Sequence, residues 1–226
     1  MLPLNNQLLR YMTSYLLIII SSSILWSLAG YYLKQSPVQV SLIVLIAVTL
    51  ISSFLFYSIK KAPETVFFSI INCVILAALT LIVACLNEKS KQHIGLCLKS
   101  SYVVFFISLF LHSLIKGINT FFNTYPQTPL LLLFFTLFMS TIPIWLSPWV
   151  ESSFSAQSSL QLILWSSPLT YASSMLDYDY LHSQWFYQHT PYGMYRFDYP
   201  NTFYITFGLT AMALPLLFYS KKTTPS

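Results

Sequence analysis

Thr65-Val-Phe-Phe-Ser-Ile-Ile-Asn-Cys-Val-Ile-Leu-Ala-Ala-Leu-Thr-Leu-Ile-Val-Ala-Cys-Leu86 runs for 22 residues without a charge and is stopped by Asn87-Glu88-Lys89. A helix rises 1.5 Å per residue, so about 20 apolar residues span the roughly 30 Å hydrocarbon core of a bilayer. This stretch meets that test. Working outward, five more segments do so: about Tyr11–Leu33 between Arg10 and Lys34; Pro37–Ile59, ending at Lys60-Lys61; Leu98–Ile115, flanked by Lys99 and Lys116; Pro129–Trp149; and Phe203–Tyr219, ending at Lys221-Lys222. The expected fold is all-α: a polytopic membrane bundle of six transmembrane helices in a single integral membrane domain, 1–226. Pro37 suits a first helical turn, whereas Pro143 and Pro148 bend the last turns of the fifth span. If the fourth span begins at Ile94, Lys99 must snorkel to the interface. The first segment exceeds a signal-peptide core and lacks a small-x-small cleavage site, so an uncleaved first helix is expected.

Composition agrees. Hydrophobic residues make up 56% of the chain and charged residues 8%, with a mean hydropathy of +0.66. Soluble domains carry about 25% charged residues, enough to wet their surface. The net charge of +5 is spread as lysines, singly or in pairs, at the ends of apolar runs. That placement anchors helices in lipid and does not build a nucleic-acid surface. Cys73, Cys85 and Cys97 form no CxxC pair. Cys73 falls mid-span, and Cys85 and Cys97 fall on one side of the membrane, where the sequence leaves their pairing open.

Loop lysines and arginines set orientation. Arg10, Lys60, Lys61, Lys116, Lys221 and Lys222 share one side; Lys34, Lys89, Lys91, Lys99 and Arg196 share the other, with five of the six acids. Six bases against five place both termini in the cytoplasm and Glu151–Pro200 outside. The expected location is a bacterial inner (plasma) membrane.

That outer region, 151–200, is the least greasy part of the chain. It holds Glu151, Asp177, Asp179, Asp198, His182 and His189. Ser152–Ser159 reads as a loop or helix start. Leu160–Trp165 is too short to span and reads as re-entrant or interfacial. Ser167-Pro168 supplies an N-cap and a first-turn proline. The spacing of Leu169, Ala172, Met175 and Leu176 predicts an amphipathic helix from Pro168 to about His182. Ser183–Pro200, punctuated by Pro191, Gly193 and Pro200, reads as irregular. Ten aromatic residues between Tyr171 and Tyr199 suit an interfacial cap over the bundle.

Little catalytic chemistry is written here. Asp177, Asp179, His182, His189 and Asp198 are metal-ligand types, but without a ligand-spaced motif no metal is expected. Neither G-x-S-x-G nor a phosphate-binding glycine loop is present, so any ATP use must come from a partner. His112 is the one histidine inside a span. With no carboxylate in any apolar core, it reads as a neutral interhelix hydrogen bond and not a proton relay. Span serines are expected to bond back to their own helix or pack between helices. No cofactor is expected.

Leu164-Trp-Ser-Ser-Pro168-Leu-Thr-Tyr171-Ala-Ser-Ser-Met175-Leu176 resembles the permease subunits of type-2 ATP-binding-cassette exporters. Those subunits have six helices, cytoplasmic termini, and short re-entrant helices between the fifth and sixth. The resemblance implies a homo- or hetero-dimeric membrane subunit that moves a substrate with a separate ATPase. It assigns ATPase contact to Lys60, Lys61 and Glu64. It places the outer cap or substrate exit at Ser167, Pro168, Tyr171, Tyr192, Tyr195, Arg196 and Asp198. Two other classes fit the residues: a small membrane enzyme with an outward-facing Asp/His site, and a non-catalytic membrane assembly component.

Overall fold

A computed structural model describes residues 37–60, 66–86, 93–122, 128–152, 155–195 and 197–218. The expected span at 11–33, together with Lys61, Glu64 and Arg196, lies outside the described residues. Those described are helical, with no strand among them. The long helices are α1 (Val38–Lys60), α2 (Val66–Leu86), α3 (Ile94–Phe122) and α4 (Thr128–Trp145). Short helices follow: α5 (Ser147–Ser152), α6 (Ala156–Ser166), α7 (Pro168–Met175) and α8 (Gln184–His189), then a 3-10 turn, Pro191–Met194. The last helix is α9 (Thr202–Phe218).

Helix α3 is the hub, packed by α1, α2, α4, α7 and α9. At 29 residues it is about 43 Å long, more than a bilayer core requires. Its two lysines therefore lie near the ends of its apolar length, and both have partners. Lys99 pairs with Asp177. Lys116 donates to the Leu217 carbonyl, one of the last carbonyls of α9, which a helix end leaves without an intrahelical donor. Lys99, expected to snorkel, thus meets an acid. The two contacts put the 151–200 region at the start of α3 and the end of α9 at the other.

The main core joins Leu42, Leu45, Leu76, Val103, Val104, Ile107 and Leu111 to Tyr171, Ala172 and Leu176 of α7. A smaller cluster of Cys73, Leu109, Ala213 and Leu217 holds α2 and α9 against α3. Gly117 is buried where α9 crosses: a β-carbon there would come within 2.9 Å of the Leu216 Cδ2. Many hydroxyls inside the helices bond back one turn, including Thr49 to Leu45, Thr80 to Leu76, Thr136 to Leu132 and Thr206 to Thr202. Ser101 reaches across instead, donating to the Ala77 carbonyl at 2.7 Å. The three cysteines are free thiols, with Cys85 packed at the core that holds Cys97.

Among the described residues, three helices are long and apolar enough to cross a membrane by length and composition: Ser69–Leu86, Ile94–Phe121 and Thr128–Trp145. Val38–Ile51 and Thr202–Phe218 are shorter apolar helices. Of the three long ones, 44%, 44% and 28% of the most apolar stretch is buried inside the structure, and the remainder is half-buried or exposed. Phe67, Val74, Ile82, Leu131, Phe134, Phe135 and Phe138 stand exposed on them. Apolar patches of this extent are rare on soluble monomers and ordinary against lipid. The fold is compatible with a membrane protein.

Four expected boundaries shift. The fourth span, expected at Leu98–Ile115, runs longer at both ends as α3, Ile94–Phe122. The fifth span stops at Trp145, because the chain turns at Leu146 and restarts as α5 with Pro148 in its first turn. The helix expected to reach His182 stops at Met175. Asp177 takes φ +53°, the Tyr178 N–H bonds the Ser173 carbonyl at 2.9 Å, and the Asp177 N–H bonds that of Ser174 at 3.3 Å. This is a Schellman stop with aspartate at its left-handed position. Finally, 183–200 is not wholly irregular: it carries α8 and the 3-10 turn.

Candidate functional site: an aromatic cap over an apolar cavity

The site begins at a break. Ser167 is extended (φ −90°, ψ 120°), the conformation that a following proline favours, and separates α6 from α7. Pro168 then opens α7, which packs against α1, α3, α4 and α9. Inside the bundle the Tyr171 hydroxyl bonds Thr206 Oγ1 at 2.9 Å, and Thr206 donates to the Thr202 carbonyl at 2.8 Å. Because Thr206 spends its proton on the backbone, Tyr171 is the donor. This bond ties the short helix to α9.

Above α7 the chain builds a second apolar core of Val150, Leu160, Ile163, Leu164, Tyr180, Leu181 and Tyr192. Phe186 meets Tyr180 edge-on, with ring centroids 5.3 Å apart. The Tyr180 hydroxyl bonds Thr170 Oγ1 at 3.0 Å. Tyr192 is fully buried, and its hydroxyl donates to the Pro143 carbonyl near the end of α4. The polar tips of these rings find partners while their bodies fill the core, which is what makes tyrosine suitable here.

At the surface of the cap, Asp179 is the centre of a small network. Tyr199 donates to its Oδ1 at 2.7 Å, the His182 backbone N–H to the same oxygen at 3.2 Å, and the His182 Nδ1 lies on Oδ2. Burial works to raise the Asp179 pKa, but the Tyr199 and His182 hydrogen bonds outweigh it and hold the carboxyl below its ordinary range. Burial, and then the bond to that carboxylate, push the Tyr199 phenol far above its usual value, so it stays a donor. His182 also stacks on Phe197, with centroids 5.1 Å apart and planes at 16°.

Beside this network is a polar hollow of about 530 Å³ lined by Gln157, Gln161, His182, Tyr195, Phe197 and Asp198. Gln161 donates to the Asp198 backbone carbonyl at 2.9 Å, fixing the 197–200 segment against α6. Beneath the cap is a separate cavity of about 270 Å³, almost wholly apolar. Leu111 and Leu114 of α3, Thr136 and Met139 of α4, and Ile205 and Leu209 of α9 wall it, with Trp165–Pro168 and Tyr171 closing one side. A smaller one of about 120 Å³ lies against Leu169 and Ala172 of α7.

The structure therefore divides the residues singled out from sequence. Ser167, Pro168 and Tyr171 line the apolar cavity. Tyr195 and Asp198 line the polar hollow. Tyr192 belongs to neither and is a structural anchor of the cap. Asp177 faces Lys99, and His189 does not line the hollow. Lys60 closes α1; the remaining residues assigned to ATPase contact, Lys61 and Glu64, are outside the described residues. Among the described residues, no three of His, Cys, Asp and Glu converge as metal ligands do. Sequence reasoning passed over Gln157 and Gln161, whose signal was their i,i+4 spacing on one helix. No protein-family model, no curated protein and no solved structure matches this chain.

Proposed function

We propose that this chain is the membrane-spanning subunit of an ATP-driven transporter. It would have six transmembrane helices, counting 11–33, and both termini in the cytoplasm of a bacterial inner membrane, and it would work as a dimer with a separate ATP-binding-cassette ATPase. The observation that carries this reading is the placement of α7. A short helix with a serine–proline start dips among α1, α3, α4 and α9, under an aromatic cap at the end of the bundle opposite the α9 C-terminus. Such a helix is poised to gate an exit, and the apolar cavities on both of its sides give it room to move. Lys60, Lys61 and Glu64 would meet the ATPase. Co-purification from membranes tests this. A lysine pair at a docking loop contributes through charge, so Lys60→Glu/Lys61→Glu should lower ATPase recovery by roughly tenfold. Unchanged recovery, or no ATPase captured by the native chain, overturns the reading.

One observation favours a second reading, a small membrane enzyme. The Asp179–His182 pair faces the hollow that holds Asp198 and so resembles an oriented proton-transfer group. In that case His182→Ala should abolish turnover in membranes while the chain accumulates normally. Retained activity excludes it.

A further inference from the structure

We infer that α6 carries a binding site for one zwitterionic aminophospholipid, its head in the polar hollow and one acyl chain in the apolar cavity below. Gln157, Gln161 and Trp165 lie four residues apart, so they share one face of α6 over about 12 Å of its axis. The first two line the polar hollow and the third lines the apolar cavity. One helix face thus leads from hydrogen-bonding groups to a greasy chamber, the pattern of a molecule that is polar at one end and apolar at the other. Trp165 lines the chamber yet is 63% exposed, an amphipathic ring of the kind that suits the zone where headgroup meets acyl chain.

The chamber sets the chain. At about 270 Å³ it is close to twice the roughly 150 Å³ apolar cavity that holds benzene, and takes part of one acyl chain but not a folded domain or a peptide. A chain moving from bilayer to chamber exchanges one apolar surrounding for another, so the chamber alone selects nothing. Selectivity resides in the hollow. Asp198 supplies a carboxylate acceptor there, and the Gln157 and Gln161 side-chain amides supply donors. A primary ammonium suits the first and a phosphate the second. A trimethylated ammonium carries the same charge but has no N–H to donate, so phosphatidylethanolamine should be preferred over phosphatidylcholine. The site rests on the chain lying in a membrane and does not require an ATPase partner.

The test is native mass spectrometry of the full-length chain, released from micelles containing equal phosphatidylethanolamine, phosphatidylcholine and phosphatidylglycerol. One phosphatidylethanolamine per chain is expected, favoured by roughly tenfold, the worth of one charge-assisted hydrogen bond. Asp198→Asn, at an exposed position that leaves the backbone bond from Gln161 in place, should erase that preference. Leu209→Phe, which narrows the chamber, should lower retention of all three lipids and leave their ratio unchanged. Equal retention of the three lipids by the native chain, or a preference that survives Asp198→Asn, shows annular lipid only and overturns the site. Carbonate-washed membranes separate this from the wider reading: a chain washed off them was never a membrane protein, whereas a retained chain without lipid preference loses only this site.

Discussion

Tyr192→Ala should release the aromatic cap from the bundle. Tyr192 is fully buried among Val150, Leu160, Ile163, Leu164 and Tyr180, and its hydroxyl is bonded to the Pro143 carbonyl of α4. Truncating a buried aromatic ring costs about 3–5 kcal/mol, from lost transfer energy and the cavity left behind. The cap has a small core, so a loss of that size exceeds what the remaining cap contacts can offset. Tyr192→Phe keeps the ring but leaves the Pro143 carbonyl unpaired in a dry site, a loss of about 1–3 kcal/mol. Limited proteolysis in detergent reads both. Cleavage between 176 and 200 should rise strongly for the alanine variant and modestly for the phenylalanine variant, while the fragment holding α1–α4 persists. A native cleavage pattern in Tyr192→Ala would show that the ring does not hold the cap.

This anchor marks where sequence reasoning succeeds and where it ends. Apolar runs bounded by lysines read directly as helices, because in lipid a backbone must satisfy its own hydrogen bonds and length alone sets the requirement. Val66–Leu86 and Thr202–Phe218 fall within a residue of their expected starts. The region 151–200 follows different physics. Its stops depend on tertiary contacts or on unusual residues: the helix from Pro168 ends because Asp177 occupies a left-handed position that glycine usually signals. Tyr192, Tyr195 and Asp198 are twelve or more residues beyond that stop, and nothing in their spacing tells which ring turns inward and which side chain faces the hollow. Asp179 and His182, within the helix predicted to reach His182, instead share a turn beyond its end. Lys99 and Asp177 are 78 residues apart, and no local rule links them.

His112 is the opposite case, a residue whose role its surroundings foretold. No carboxylate occupies the apolar runs, so a histidine buried within one needs neutral partners. Its Nδ1 lies 2.7 Å from the Ser108 carbonyl, one turn back, and so carries the proton; Nε2 is then the acceptor for the Asn72 amide at 2.7 Å. That second bond joins α2 to α3, the hub helix, at a position 3% exposed. Asn72→Leu removes the donor to the imidazole Nε2, and His112→Leu removes the acceptor of the Asn72 amide. Each should cost about 1–3 kcal/mol, the penalty of a buried polar group that has lost this partner. The double variant removes both groups and should cost less than the sum. Interhelix hydrogen bonds in lipid couple by about 0.6 kcal/mol on average and reach about 1.7. A short, buried amide–imidazole bond belongs near the upper figure. Unfolding the four proteins by titrating sodium dodecyl sulfate into mild-detergent micelles closes the cycle. Additive losses would mean that the bond contributes nothing to holding α2 on α3, and that shape alone packs the two helices.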